Sequence, residues 1–323
     1  MSRRTDNFDG RRFFNPNGAN GQPLRMVPRL LRMPRTRWPS RVPVEPRQPP
    51  KPGPDELAVS FVGHATFLIQ VGSTSLLTDP VYSRRASPLS FVGPRRVRAP
   101  GVRFEELPPI SLVLLSHNHY DHCDLKTLRS LARRFPLRLV TPLGNGRLVR
   151  SAGIRQFEEL DWWQRASAAP FPITLTPAQH FSARSLFDRN RALWGGFLIE
   201  AGGYRIFFAG DTGYGPHFRE IAARLGPIDL ALLPIGAYEP RWFMKDIHMN
   251  PVEAVQAHLD LAARRSVAMH FGTFQLTPEG IEEPARELAK AIRERGLPAE
   301  QFRVLEVGES VWLSAPLGAG VSP

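Results

Sequence analysis

Cysteine is nearly absent from this chain of 323 residues: Cys123 stands alone. An internal disulfide is therefore excluded, and a reducing compartment is the natural setting. A lone thiol beside His122, amid histidines and carboxylates, reads as a small packing residue. Lysine is scarce too, four among 42 basic residues, so arginine carries the positive charge. No apolar run is long enough to span a bilayer. The opening Met1-Ser2-Arg3-Arg4-Thr5-Asp6 is charged but has no apolar stretch to complete a secretory signal. The expected location is cytoplasmic, with peripheral membrane contact left open. No Gly-x-Ser-x-Gly elbow offers a serine nucleophile, and no internal repeat is visible.

Histidine is concentrated rather than abundant. The run Ser116-His117-Asn118-His119-Tyr120-Asp121-His122 follows the apolar Leu112-Val113-Leu114-Leu115, a buried strand by its composition. His117 and His119, two apart, point the same way in extended chain. Asp121 and His122 come where the chain must turn. A polar turn with satisfied histidines is the bland alternative, but four donors in six residues are costly to bury unpaired. They suit metal, and two adjacent ions better than one. Further donors follow other strand-like segments: His180 in Pro177-Ala178-Gln179-His180, Asp211 in Gly210-Asp211-Thr212-Gly213, and His270 in Met269-His270-Phe271-Gly272. Five of the nine histidines fall at these strand ends, where α/β enzymes place their chemistry.

His-x-His-x-Asp-His, a distant His, Gly-Asp-Thr-Gly and a late His together resemble the metallo-β-lactamase superfamily. Ser116 to Asp124, Leu160-Asp161-Trp162-Trp163, Phe208 to Tyr214, Ile235 to Lys245 and His270 to Phe274 resemble its N-acylphosphatidylethanolamine-hydrolysing phospholipase D branch. The likeness runs from about Phe14-Asn15-Pro16 nearly to the end. It implies a four-layer αββα sandwich, where periodicity alone reads only α/β or α+β. It assigns His117, His119 and His180 to one metal, Asp121, His122 and His270 to the other, and Asp211 to both. Nitrogen and oxygen donors without cysteine suit two zinc ions, and iron or manganese would also be accepted. Two ions roughly 3.5–4 Å apart hold a shared water as hydroxide near neutral pH, so catalysis needs no side-chain nucleophile.

The resemblance implies hydrolysis of N-acylphosphatidylethanolamine to phosphatidic acid and an N-acylethanolamine. A sugar-phosphate lactonase, a nuclease of the same superfamily and a non-catalytic metal-binding descendant are the alternatives. Softer roles go to Asp79, orienting a ligand or the metal loop, and to His64, which reads either the same way or as a structural histidine at a turn. Tyr120 is placed to reach a phosphate oxygen. His248 matches a family position near the head group and is placed to protonate the leaving alkoxide. His217 and His258 read as ordinary surface or packing residues. Trp162, Trp163, Trp194, Trp242 and Phe243 are either an acyl groove or core.

Composition divides the chain at residue 52. Residues 1–52 form a basic, proline-rich arm, and 53–323 the hydrolase domain, one large unit because the donors span His117 to His270. The first fifty residues carry eleven arginines against three acids, most of the net +12. Leu24, Met26, Val27, Leu30, Leu31, Met33 and Trp38 interleave with them, which suits an anionic membrane surface. A solvated arm is the competing reading; nucleic acid is not the expected partner, and a homodimer is left open. Pro28, Pro34 and Pro39 forbid one long amphipathic helix. Beyond the arm, strands are expected at Leu57 to Val62, Thr66 to Val71, Thr74 to Thr78, Ile228 to Leu233, Ser266 to Met269 and Phe302 to Val307. Helices are expected at Leu125 to Phe135, Pro216 to Leu225, Pro251 to Arg264 and Pro284 to Arg295.

Overall fold

The computed structural model describes residues 6–313 except 20, 55 and 186. Arg3, Arg4 and the side chains of Leu24, Val27 and Leu31, all part of the basic opening, lie outside the described residues. The strands are β1 (Leu57–Gly63), β2 (Thr66–Val71), β3 (Thr74–Thr78), β4 (Ile110–Leu114), β5 (Arg138–Pro142), β6 (Phe157–Leu160) and β7 (Ile173–Thr176). There follow β8 (Gly196–Ala201), β9 (Tyr204–Phe208), β10 (Leu230–Pro234), β11 (Arg265–Met269), β12 (Phe302–Arg303) and β13 (Ser310–Leu313). The helices are α1 (Val27–Leu31), α2 (Leu125–Arg134), α3 (Gly146–Ser151), α4 (His217–Leu225), α5 (Arg241–Met244), α6 (Pro251–Asp260) and α7 (Glu283–Glu294).

One sheet runs β13-β1-β2-β3-β4-β5-β6 and the other β12-β11-β10-β9-β8-β7. Each starts as an antiparallel meander and continues parallel, from β3 to β6 and from β9 to β12. Period-two patterning sorts the side chains. Leu112 and Leu114 join the core between the sheets with Phe61, Phe67 and Phe208. Val113 and Leu115, one residue out of step, join Leu128 and Leu131 of α2 on the outer face. On the opposite side α6 lies on β10, with α4 and α7 against α6. The result is helix, sheet, sheet, helix: the αββα sandwich that the resemblance implies.

Local signals explain the helix starts. Asp124 accepts from Lys126 N at the head of α2, and Asn250 with Glu253 forms a capping box ahead of Pro251. Two expected boundaries shift. The helix from Pro251 stops at Asp260 because Ala262 turns at φ 48°, which lets Arg264 N reach Ile228 O. The strand from Phe302 stops at Arg303; a turn with Gly308 at φ 94° redirects the chain into β13 beside β1.

The boundary at residue 52 marks a change of composition, not of packing. Phe13 belongs to the main core, and its N–H bonds Asn190 O at 2.8 Å. Thr36 N donates to Pro278 O and Arg47 N to Gly101 O, while Trp38 Nε1 donates to Glu279 O. Prolines limit helix in this opening stretch to one 3-10 turn and the short α1.

Phe67, fully buried between the sheets, offers a test of the core. Phe67→Ala should cost about 3–5 kcal/mol, read as a lowered midpoint of denaturant unfolding at unchanged slope.

Candidate metal centre

The donors converge because each follows the end of a strand. Asp79 follows β3, the His117–His122 loop follows β4, His180 follows β7, Asp211 follows β9 and His270 follows β11. Several of these turns need unusual backbone. Asp79, His64 and His270 sit at φ 33°, 58° and 60°, which ordinary residues adopt only where the surroundings hold them. Gly210 sits at φ 61°, and a Cβ there would lie 2.8 Å from Ser116 Cβ. Only glycine lets the Asp211 turn press against the metal loop.

The ring nitrogens His117 Nε2, His119 Nδ1 and His180 Nε2 form one cluster, 2.9 Å and 3.2 Å apart across His119. Partners on the far side of two of the rings set their tautomers. Ser116 Oγ donates to Asp79 Oδ2, so His117 Nδ1, 2.9 Å from that hydroxyl, is the N–H. His180 Nδ1 donates to Ile247 O at 2.9 Å. The Nε2 lone pairs of both therefore face the cluster. Burial, aided by neighbouring imidazoles, holds His117 well below its ordinary value and His119 down to about 3. Burial likewise holds His180 down to about 4. All three are neutral donors at neutral pH.

A second cluster brings Asp121, His122 and His270 together, with His64 as a fourth member; each offers a ligand atom within 4.8 Å of the others. Asp211 Oδ2 lies between the clusters, 3.0 Å from His122 Nε2, 3.1 Å from His270 Nε2, 3.8 Å from His180 Nε2 and 3.9 Å from His117 Nε2. Asp79 is not itself aimed inward. It receives Ser116 N, Ser116 Oγ and His122 Nδ1 at 2.6–2.7 Å, locking His122 with Nε2 toward the site. His64 Nε2 lies 3.0 Å from Asp121 Oδ2. Burial opposes charge on His122 and His270, but Asp211 outweighs it, helped by Asp121, raising His122 well above normal and His270 to about 9. Both carboxyls, despite their burial, are held far below the usual carboxylate range by His122 and its neighbours.

This arrangement fits metal. Buried Asp211 Oδ1 has no hydrogen-bond partner, and a buried polar atom without one costs free energy unless an ion completes it. The neutral imidazoles of His117, His119 and His180 and the ionised carboxylates are already in the donor states that metal binding requires, and His122 and His270 would give up their protons to an ion.

Other sequence expectations fare differently. Tyr120 donates its hydroxyl to Arg184 O at 2.9 Å and lies 4.0 Å beneath the Arg184 guanidinium, so it joins two loops. His248 is buried with Nε2 3.9 Å from Asp211 Oδ2, held by Arg241 Nη1 on its carbonyl at 2.9 Å. His217 and His258 are buried packing residues, the second of the two readings; His217 Nε2 lies 3.1 Å from Thr212 Oγ1, beside Asp211. Trp194 is core, and Trp162 and Trp163 line a cavity of about 510 Å³ on the Gln179 side of the His180 turn. Sequence reasoning missed Phe181, whose ring stands 4.5 Å from that of His119. It also missed Arg184, which donates to Asn118 O and Cys123 O across the metal loop. Their nearness to His180 in sequence was the available signal.

The pKa directions give the metal-free protein a two-sided pH dependence. His119 and His180 are depressed below 6.5, so their contribution is full above that value and is lost as pH falls through about 4 to about 3. His270 is raised, so its contribution is full below 6.5 and is lost as pH rises through about 9. With metal bound, an ion and not a proton balances Asp211, and the alkaline limb should vanish. Melting scans with and without chelator test this; an alkaline decline equally steep in both would refute it.

The Beta-lactamase superfamily domain matches residues 74–271. An uncharacterised protein of Mycobacterium tuberculosis is 45% identical over 240 residues, 73% of this chain and 64% of that protein. The match thus spans less than two thirds of that relative. The N-acyl-phosphatidylethanolamine-hydrolyzing phospholipase D 1 of Caenorhabditis elegans is 38% identical over 269 residues, 79% of this chain and 75% of that protein. The fold is shared with Igni18, a metallo hydrolase of Ignicoccus hospitalis, at a TM-score of 0.60 and 24% identity, over 80% of this chain and 99% of that one. Matched across most of its length, and with buried His/Asp clusters at its strand ends, the chain belongs to the metallo-β-lactamase superfamily.

Proposed function

We propose that the chain is a dinuclear zinc phosphodiesterase that hydrolyses N-acylphosphatidylethanolamine to phosphatidic acid and an N-acylethanolamine. The observation that carries this reading is the 38% identity to the C. elegans phospholipase over most of the chain. His117, His119 and His180 would hold one ion and Asp121, His122 and His270 the other, with Asp211 between them. Two such ions supply Lewis acidity and a water whose pKa lies near neutrality. The absence of cysteine from the donor set favours zinc over softer alternatives, though iron and manganese accept the same donors.

The protein's own residues suit a lipid phosphodiester. Phe181, Phe243 and Leu276, partly buried over the buried Ala237, Met244 and Ile247, form an apolar cluster beside His119 and next to His248, a surface for acyl chain close to the polar centre. Arg241 fixes His248 through its carbonyl while gripping both Glu253 oxygens at 2.7 and 2.9 Å. Burial holds His248 well below its ordinary value, so at neutral pH it is a neutral ring. It can hold a leaving oxygen by its N–H. Full protonation of the alkoxide requires that it first collect the proton lost by the attacking water.

Purified protein should carry about two equivalents of metal per chain. Asp211→Asn, which keeps shape but removes the charge shared between the clusters, should abolish nearly all turnover and lower metal content while far-UV circular dichroism is retained. Unchanged metal content and rate in that variant would refute the bridging role.

A panel of N-acylphosphatidylethanolamine, a sugar-phosphate lactone and RNA, offered to the zinc-loaded protein, decides the substrate. Release of phosphatidic acid from the first is expected. His248→Gln should then lower kcat by roughly 10²–10⁴-fold at unchanged metal content. Turnover of the lactone or the RNA with none of the lipid would overturn this reading and leave the metal site standing.

A further inference from the structure

Eight large apolar side chains stand exposed among the described residues, and four of them belong to two loops that flank the metal loop. Leu89, Phe91 and Val92 are 47%, 71% and 52% exposed, and Phe187 is 80% exposed. A flexible loop would fold such residues inward, but the first loop is held out by its neck. Arg85 and Arg95 form a bridge, Ala86 N donates to Pro94 O, and Arg96 N donates to Arg84 O. Arg85 Nη1 closes on Gly93 O at 2.6 Å, and Gly93, at φ 91°, leaves only 2.8 Å between a Cβ and Ser87 Cβ. Below the neck, Arg96 donates to Val81 O and Ser83 O and covers the Phe274 ring. The second loop is equally built: Asp188 Oδ1 accepts from Arg184 N and Ser185 N, and Phe187 N donates to Ser185 Oγ.

Tyr120 ties both loops to the metal loop. Its ring packs with Val81, Ala86 and Phe274 at the base of the first, and its hydroxyl bonds Arg184 O at the base of the second. Charge points to the partner. Residues 80–103 contain six arginines and no acidic residue, and Arg84 and Arg95 are exposed beside the apolar tip. Apolar tips ringed by arginine match an anionic bilayer, whose interface takes the apolar residues and whose headgroups attract the cations. In contrast, Trp38 of the opening segment has its ring N–H committed to Glu279.

We propose that the tips carrying Leu89, Phe91, Val92 and Phe187 dock the protein on an anionic lipid bilayer, with the metal loop between them at headgroup level. This rests on the lipid-hydrolase reading for its purpose, but docking is measured without turnover. The probe is co-sedimentation of the zinc-loaded full chain with phosphatidylcholine vesicles, with or without phosphatidylglycerol, at low and high salt.

The parent protein should bind the anionic vesicles more than the neutral ones, and less as salt rises. A Leu89→Ser/Phe91→Ser/Val92→Ser variant should lose about tenfold or more of its binding while a soluble phosphodiester is still cleaved at the parent rate. Phe187→Ser should lose part, and Arg84→Gln/Arg95→Gln should lose the salt-sensitive part. Arg32→Gln/Arg35→Gln/Arg37→Gln in the opening segment should bind nearly as the parent does. Failure of the parent to bind anionic vesicles overturns the proposal, as does equal binding by the tip variant or a loss confined to the opening-segment variant. If the tip variant instead changes the sedimentation coefficient from dimer to monomer, the patch is a contact between chains and the proposal falls. Docking that depends on the tips without any cleavage of N-acyl lipid would remove the substrate reading alone.

Discussion

One carboxylate oxygen governs the architecture. Asp211 Oδ2 has imidazole nitrogens of five histidines within 3.9 Å, in a place almost closed to water. Such a gathering cannot persist in a dry interior by packing alone, because an ionised group out of water must be matched by charge and hydrogen bonds. Without metal, the match comes from protons on His122 and His270. With metal, the same lone pairs and carboxylates turn to the ions. Either way the donors must be held in place before the ligand arrives, and that requirement explains the strained turns at Asp79, His64 and His270. Strain of this kind survives only where neighbouring structure over-determines it.

Asp79 is the clearest case of that over-determination. Its two oxygens fix Ser116 twice and His122 once, its N–H is held by Leu114 O, and its own carbonyl receives Thr66 Oγ1. One residue thereby ties β2, β3 and the loop after β4. A ligand's orientation is thus decided by a side chain that faces away from the centre, and the sheet beneath serves as the rigid base for the site.

The chain displays its chemistry locally, and the readable part of the sequence follows from that. The motif from His117 to His122 is contiguous, so its donor count is visible without any fold. His180, Asp211 and His270 are each next to apolar runs whose strand character is plain. The αββα layering needed the family resemblance, because strands β5, β6 and β8 carry no signal that says which sheet they join. Contacts across large separations were hidden. Nothing near Arg184 announces that its guanidinium holds two carbonyls of a loop some sixty residues earlier. Nor does the arginine-rich opening reveal that Phe13 enters the main core, since one aromatic among polar residues has no periodicity to betray its burial. The contact of Tyr120 was hidden for a related reason: its place within the motif is local, but the partner that takes its hydroxyl, Arg184 O, is not.

The structure separates two tasks that the sequence interleaves. Donors, their orienting partners and the strand ends form a closed, mutually hydrogen-bonded unit in which few substitutions are free. Around it lie surfaces with far looser constraints: the apolar cluster near Phe181 and Phe243, the tip at Phe91 and the basic opening segment. In the function proposed above, the first group would set the chemistry and the second would set what reaches it. Shared fold and metal donors therefore say much about the reaction and little about the substrate. The discriminating information lies in how an apolar wall and a raised apolar rim adjoin the polar centre. On the lipid-hydrolase reading proposed above, a soluble lactone or an RNA strand would have no use for that juxtaposition. On the same reading, a molecule with a phosphodiester head and long acyl chains would use both halves side by side.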